Sequence, residues 1–387
     1  MQQSVAPQAA PPPPVQKRDL YQQLPRRRLP WVGLVLGAAG LFFLVSAAVT
    51  PLTGRWEVGR AFPEWGRKLG DLAWMQSERQ ALPNAYVVGS STVLHHVVPA
   101  VLDAGPGGAG RGLRWYNAGV QRTVPPEAFY LAHELLDGLP EEACEVLVVD
   151  VLPVEPMAAE EVEAPRVVRT MGVEEVWRRL GLLPWEEGSM RDRCWAEARA
   201  VLRAGWNRAV GFLGPPPGRA AQEPVDARAD RGFVPLRAED FAAGRLRESR
   251  AAYLQGAEAA MAHNRAIAED FDLRRTLPDP TVNWDCTGRV RPMIDQMQAL
   301  KHRCDRAGIH VVFLFQKLWD GNGCVYFEAQ ERWGDAHVVE MMGYRGQEGL
   351  FEPGDSYDDD HWMASGAEEF SAVLSGRLAS VVPQARK

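Results

Sequence analysis

From residue 85 onward, short apolar runs alternate with amphipathic stretches. Tyr86 to Gly89 is a run of strand type, and Leu113 to Tyr116 reads as a second strand. Val146 to Val151 is continuous and β-branched, as a strand buried on both faces should be. Ile309 to Phe315 is another such run. Between them lie helical patterns. Pro125-Pro126-Glu127 opens one, since proline is tolerated in a first turn. Phe129, Ala132, Leu135, Leu136 and Leu139 then recur on one face, and Gly138 and Pro140 end it. Val290, Met293, Ile294, Met297, Leu300 and Cys304 form a second stripe, which Gly308 is placed to stop. Ser365-Gly366-Ala367-Glu368 reads as a capping box ahead of Phe370, Val373, Leu374 and Leu378. Strands alternating with helices predict an α/β fold, a mostly parallel sheet between two helix layers. There is no internal repeat.

Residues 155–285 depart from this rhythm. They are rich in Arg, Glu and Ala, with helical patterning at 172–181, 190–212 and 239–270 and a break at Pro215-Pro216-Pro217-Gly218. This is a largely helical insertion, either a lid or partner surface or a solvated cap. Residues 56–80 form a polar, Trp-containing connector with helical stretches.

Residues 29–54 carry no charge. Roughly 20 apolar residues cross a bilayer as a helix, so this run is long enough. Lys17, Arg18, Arg26, Arg27 and Arg28 precede it, which places the N-terminus in the cytoplasm and the rest outside. Trp31 sits where an interfacial anchor belongs. A cleaved signal peptide ending near Ala47-Ala48-Val49 is the competing reading, and the length of the run favours an uncleaved anchor. The predicted organisation is a disordered tail over 1–28, a transmembrane signal anchor over 29–54, a connector over 55–84 and an α/β domain over 85–387.

Composition adds exclusions. Hydrophobic residues make up 46% and charged residues 24%, as in a folded chain. The net charge of −7, with no extended basic tract past the tail, argues against nucleic acid as a partner. The five cysteines contain no C-x-x-C, which argues against zinc. Cys144 and Cys304 fall at core positions, so Cys194, Cys286 and Cys324 are the ones able to pair in an exported domain.

Candidate chemistry sits at two places. Gly89-Ser90-Ser91 ends the first strand, where α/β sheets bind ligands. As a bland alternative it is a polar turn capping a helix. Asp358-Asp359-Asp360-His361 lies just before the last helix, and the i, i+3 spacing lets the Asp358 carboxylate orient the His361 imidazole. Here the alternative is an exposed acidic loop, of a kind that also binds divalent cations. His95 and His96 follow Ser91 too closely to approach it as a separate base, though either could line a pocket. The α/β-hydrolase G-x-S-x-G elbow fails at Val93. A P-loop fails on spacing. Gly119 in Asn117-Ala118-Gly119 sits where backbone N–H groups can face an oxyanion.

With these residues the chain resembles the SGNH/GDSL hydrolase superfamily over about 85–152 and 288–380. The resemblance implies a three-layer, flavodoxin-like sheet with no cofactor and no metal. Gly89-Ser90-Ser91 matches the first block, so Ser91 inherits the nucleophile. Gly119 matches the oxyanion glycine, and Asp358 with His361 matches the last block. Ser90 stands where an aspartate is usual. The asparagine of the third block is missing after Val146–Val151, which leaves Asn117 or Gln121 to supply that donor. Loss of one oxyanion donor lowers rates about 10²–10³-fold. An anchored, exported domain of this kind resembles proteins that handle acyl groups on envelope polysaccharide, often beside an integral-membrane acyltransferase. Ser91, His361 and Asp358 are then the triad, and the N–H groups of Ser91 and Gly119, with Asn117, the oxyanion hole. The expected partners are an acylated envelope glycan or small ester, and the lipid bilayer through 29–54. Alternatives are an inactive module that binds a glycan or membrane partner, and a metal-dependent phosphoesterase using the acidic loop.

Overall fold

The computed structural model describes residues 63–78, 82–121, 123, 127–140, 142–152, 230–237, 245–277, 290–316, 322–351, 355–356 and 361–383, with Gly37, Gly40, Leu41 and Leu44. The predicted tail, most of the predicted anchor and the predicted helices at 172–181 and 190–212 lie outside the described residues. Among the described residues, no helix is long and apolar enough to cross a membrane.

Five strands form one sheet: β1 (Ala85–Gly89), β2 (Trp115–Gly119), β3 (Val146–Asp150), β4 (His310–Phe315) and β5 (Val338–Glu340). Their order is β2-β1-β3-β4-β5, and every neighbouring pair is parallel. The period of two along each strand divides its side chains between two cores. Tyr86, Val88, Leu147, Val149, Val311 and Phe313 face α1 (Pro63–Ser77), α4 (Glu127–Gly138), α6 (Val290–Ala307) and α7 (Asn322–Trp333). Ala85, Val87, Val146, Val148, Val312 and Leu314 face α2 (Ser91–His96), α3 (Pro99–Ala104) and α8 (Ala364–Val381). The result is an α/β fold of three layers. α5 (Arg245–Arg274) falls in the predicted insertion and reaches four positions past the predicted 239–270 pattern. Gly308 stops α6 in the left-handed region, at φ 71°, as its position suggested.

Three expectations need correcting. β2 runs later than 113–116 and includes Asn117, Ala118 and Gly119. A polar residue fits this buried strand because its side chain is fully hydrogen-bonded, as described below. The capping box at Ser365 does not form. α8 starts at Ala364 behind Met363, with no side-chain cap, so Ser365 lies inside the first turn and its hydroxyl donates to Asp355 instead. Finally, α3, α7 and β5 were not anticipated, whereas α2 is the helix that the Ser90 turn was read as able to cap; β5 is three residues long and carries Glu340.

α1 belongs to this fold and is not merely a connector. Trp65, Leu72 and Met75 are buried in the core. Lys68 Nζ donates to the carbonyl oxygens of Asn117 (2.7 Å) and Gly232 (2.8 Å). The segment 230–237 returns from the insertion as a strap along β2 and α2. Asn117 N–H donates to Arg231 O, Val234 N–H to Leu94 O, and Ala364 N–H to Leu236 O. Arg231 also donates to Trp115 O and Asp103, and Asp103 accepts from Trp115 N–H. Gly232 is required here: at φ +87° its added Cβ would lie 2.1 Å from Asn117 O. At the far side of the sheet, Arg377 donates to the Glu340 carbonyl.

Cys144 and Cys304 are buried free thiols. Cys324 is disulfide-bonded, to a partner outside the described residues.

Candidate active site

The chain leaves β1 towards β2 on one side and reaches β3 on the other, so the sheet's topological switch lies at the head of β1 and β3. Clefts in such sheets form at that point, beyond the carboxyl ends of the strands. Gly89 ends β1 there because a Cβ would lie 2.6 Å from Asp150 Cβ. Ser90 caps α2, its side chain accepting from Thr92 N–H. Ser91 is the first residue of α2, so its N–H has no acceptor within the helix.

His361 comes from the other end of the chain. Its Nε2 lies 2.9 Å from Ser91 Oγ. The backbone around it is fixed on both sides. Ser356 and Trp362 form an antiparallel bridge, Met363 N–H donates to Asp355 O, and Trp362 N–H donates to His96 Nε2. The His361 ring lies edge-on to His95 (centroids 5.5 Å) and His96 (6.1 Å). Both neighbours are buried beside the site. Asp358, the predicted orienting carboxylate, lies outside the described residues.

Asn117 and Gly119 are engaged with each other and with α2. The Asn117 Oδ1 accepts from Gly119 N–H at 2.9 Å. Its Nδ2 donates to Val93 O and Val97 O, both at 2.7 Å. Asn117 is fully buried. In this arrangement neither the Asn117 amide nor the Gly119 N–H is directed at Ser91. Gly119 has a packing reason to be glycine, since a Cβ would lie 2.3 Å from Leu94 N and block the docking of α2 on β2.

Gln121 is differently placed. Its N–H donates to Glu64 of α1 at 2.7 Å, and its Nε2 lies 3.5 Å from His95 Nε2. His95 Nδ1 is 2.7 Å from Val234 O. A carbonyl only accepts, so His95 Nδ1 carries a proton.

Two buried titratable groups stand out here, one at the turn and one beneath β2 and the strap. Asp150, at the end of β3, is buried, and burial raises its pKa to about 6 against donors from Gln316, Thr92 and Ser90 that pull it down. Burial lowers the Lys68 pKa to about 7, with Glu64 and Asp71 opposing. Sequence reasoning missed both, and the strap as well. Asp150 had a signal, a carboxylate closing an otherwise apolar strand. Lys68 had none, since a lysine in a mixed helix ordinarily faces water. Among the described residues, no group of three or more His, Cys, Asp or Glu side chains could hold a metal ion.

Comparison of the chain with protein-family models, with curated proteins and with solved structures gives no match. The functional reading therefore rests on the residues and their geometry.

Proposed function

We propose that this protein is a membrane-anchored, extracytoplasmic serine esterase or O-acyltransferase. Its substrates would be O-acyl groups, acetyl in the first instance, on envelope polysaccharide. One observation carries the proposal: the 2.9 Å separation of Ser91 Oγ and His361 Nε2, across 270 positions of sequence. That is hydrogen-bond reach for a nucleophile and its general base.

In this reading Ser91 donates its hydroxyl proton to His361 Nε2 as Oγ attacks the ester carbonyl. Asp358 is assigned to hold the Nδ1 proton and the ring orientation. The Ser91 N–H faces the developing oxyanion. Collapse of the tetrahedral intermediate expels the alcohol, which takes the proton back from His361. Water or a sugar hydroxyl then resolves the acyl-enzyme by the same steps in reverse. The uncharged run over 29–54 supports the anchor. The Cys324 disulfide supports an oxidising compartment, where such bonds persist. A multi-spanning membrane acyltransferase fits as the partner that would deliver the acyl group.

The test is intact mass of the full-length chain in detergent after exposure to a fluorophosphonate, with Ser91→Ala in parallel. A single adduct that the substitution removes supports the reading. Labelling that survives Ser91→Ala overturns the nucleophile. The engaged Gly119 N–H and the missing asparagine after β3 favour a second reading, an inactive module that binds a glycan or the membrane partner. A folded wild-type chain that takes no adduct would favour that one.

A further inference from the structure

Asp150 crosses the switch point of the sheet. It ends β3, yet all of its hydrogen bonds described at the site come from residues around the nucleophile turn and from the end of β4. Thr92 Oγ1 donates to its Oδ2 at 3.1 Å, and Ser90 Oγ lies 3.4 Å from the same oxygen. The Ser90 N–H and the Gln316 side chain also donate to it. Ser90 and Thr92 are joined directly, Oγ to Oγ1, at 2.7 Å. Every partner of this carboxylate is therefore a donor, and Ser90 and Thr92 are the two residues that flank Ser91. Each hydroxyl has one proton, so Ser90 Oγ donates to Thr92 Oγ1 across the short contact, Thr92 Oγ1 donates on to the carboxylate, and an ionised Asp150 also accepts from Ser90 N–H and Gln316. An amide at position 150 would turn a donor towards one of these donors, and an alcohol would leave some of them without an acceptor.

We propose that Asp150 is the positioning residue of the nucleophile: its carboxylate, supplied across the switch from β3, clamps Ser90 and Thr92 so that Ser91 Oγ is presented to His361. Asp150 does not touch the reacting atoms. It acts through the turn, and misplacement of a reacting group by about 1 Å can lower a rate about 10²-fold. The inference rests on the reading of Ser91 as a nucleophile.

Because Ser90 Oγ and Asp150 Oδ2 are only 3.4 Å apart, the carboxylate can be moved. Aspartate at position 90 still caps α2 and reaches about the same point from the turn itself. The experiment is a double-mutant cycle on the full-length chain in detergent: Asp150→Ser, Ser90→Asp, and the two together. The readout is the rate of fluorophosphonate labelling, followed by intact mass, with melting temperature recorded for each variant. Asp150→Ser is expected to label about 10²-fold slower. Ser90→Asp alone sets two carboxylates face to face and is expected to slow labelling about 10-fold. The pair together should label faster than either single variant, within about 10-fold of wild type. A residue that merely supports the fold would not give this reversal. If Asp150→Ser does not fold, the near-isosteric Asp150→Asn takes its place, alone and with Ser90→Asp. Folded single variants that label at the wild-type rate overturn the proposal, as does a double variant slower than both singles. Absence of labelling on folded wild type is a different failure: it removes the serine-enzyme reading itself, and this inference with it.

Discussion

Lys68 on α1 donates to the main-chain carbonyl of Asn117, 49 positions further along, at 2.7 Å. The contact ties the helix nearest the proposed anchor to the strand beside the nucleophile turn, and Glu64 repeats the tie through Gln121 N–H. The predicted boundary at residue 85 therefore cuts through a folded unit. Lys68→Met leaves two buried carbonyl groups without their donor, each worth about 1–3 kcal/mol. Urea denaturation at pH 8 is expected to show a loss of about 2–4 kcal/mol. A loss under about 0.5 kcal/mol, the usual range for a surface change, would show the contact to be incidental.

The same lysine predicts a pH trend. Burial holds its pKa near 7 in the folded chain, against 10.5 in the unfolded one. Between these values the unfolded state binds more protons, so stability rises with pH. The stability gap between wild type and Lys68→Met should widen from pH 7 to pH 9.5, by up to about 1.4 kcal/mol per unit. A gap that stays flat would mean the ammonium is solvated.

Asp150 runs the other way. Its folded pKa of about 6 lies above the ordinary 3.8, so between these values the folded state binds more protons. Wild type should gain stability relative to Asp150→Asn as pH falls from 7 to 4, by a few kcal/mol at about 1.4 per unit. The contribution is fully present below about pH 4 and lost as pH rises through 6. Melting curves of both proteins over that range measure it, and parallel curves would contradict it.

His361→Ala removes the base and leaves Ser91 in place. Labelling of Ser91 by fluorophosphonate is expected to slow by about 10²–10⁴, the usual worth of a positioned general base. A change of less than threefold would mean that a group other than His361 activates the serine.

Asn117→Ala should act on stability. It strips the Asn117 donor from the Val97 carbonyl and the acceptor from Gly119 N–H, while Val93 O keeps its bond from Val97 N–H. A loss of about 3 kcal/mol is expected in denaturation, from buried groups left unpaired. An unchanged stability would return this amide to the list of candidate oxyanion donors.

The layered α/β fold was legible because Val146 to Val151 and Ile309 to Phe315 are strands that nothing else explains, and because the stripes of α4 and α6 keep a helical period. The end of β2 was misjudged for a physical reason. Asn117 looks like a loop residue until α2 is there to receive its amide. The pairing of Ser91 with His361 was inferred from chain order and known chemistry, and the two side chains do meet. Asp150 left a signal, a carboxylate at the end of an apolar strand, but its partners come from separate stretches of chain, and Lys68 left none. The strap is the extreme case: 230–237 has no period or motif, and takes its shape from contacts with α1, β2, α2, α3 and the start of α8.

That strap also governs what can attach to the sheet. On a border strand, alternate backbone groups point away from the neighbour and invite another strand to add on. On β2 these are the groups of Trp115, Asn117 and Gly119. Trp115 N–H is held by Asp103 and its carbonyl by Arg231. Asn117 N–H is held by Arg231 and its carbonyl by Lys68, and Gly119 N–H by the Asn117 side chain. β5 is only three residues long, and Arg377 occupies its last carbonyl. Five of the six outward backbone groups of these three residues are thus engaged within the chain, and β2 offers little template for a strand of another copy to add on.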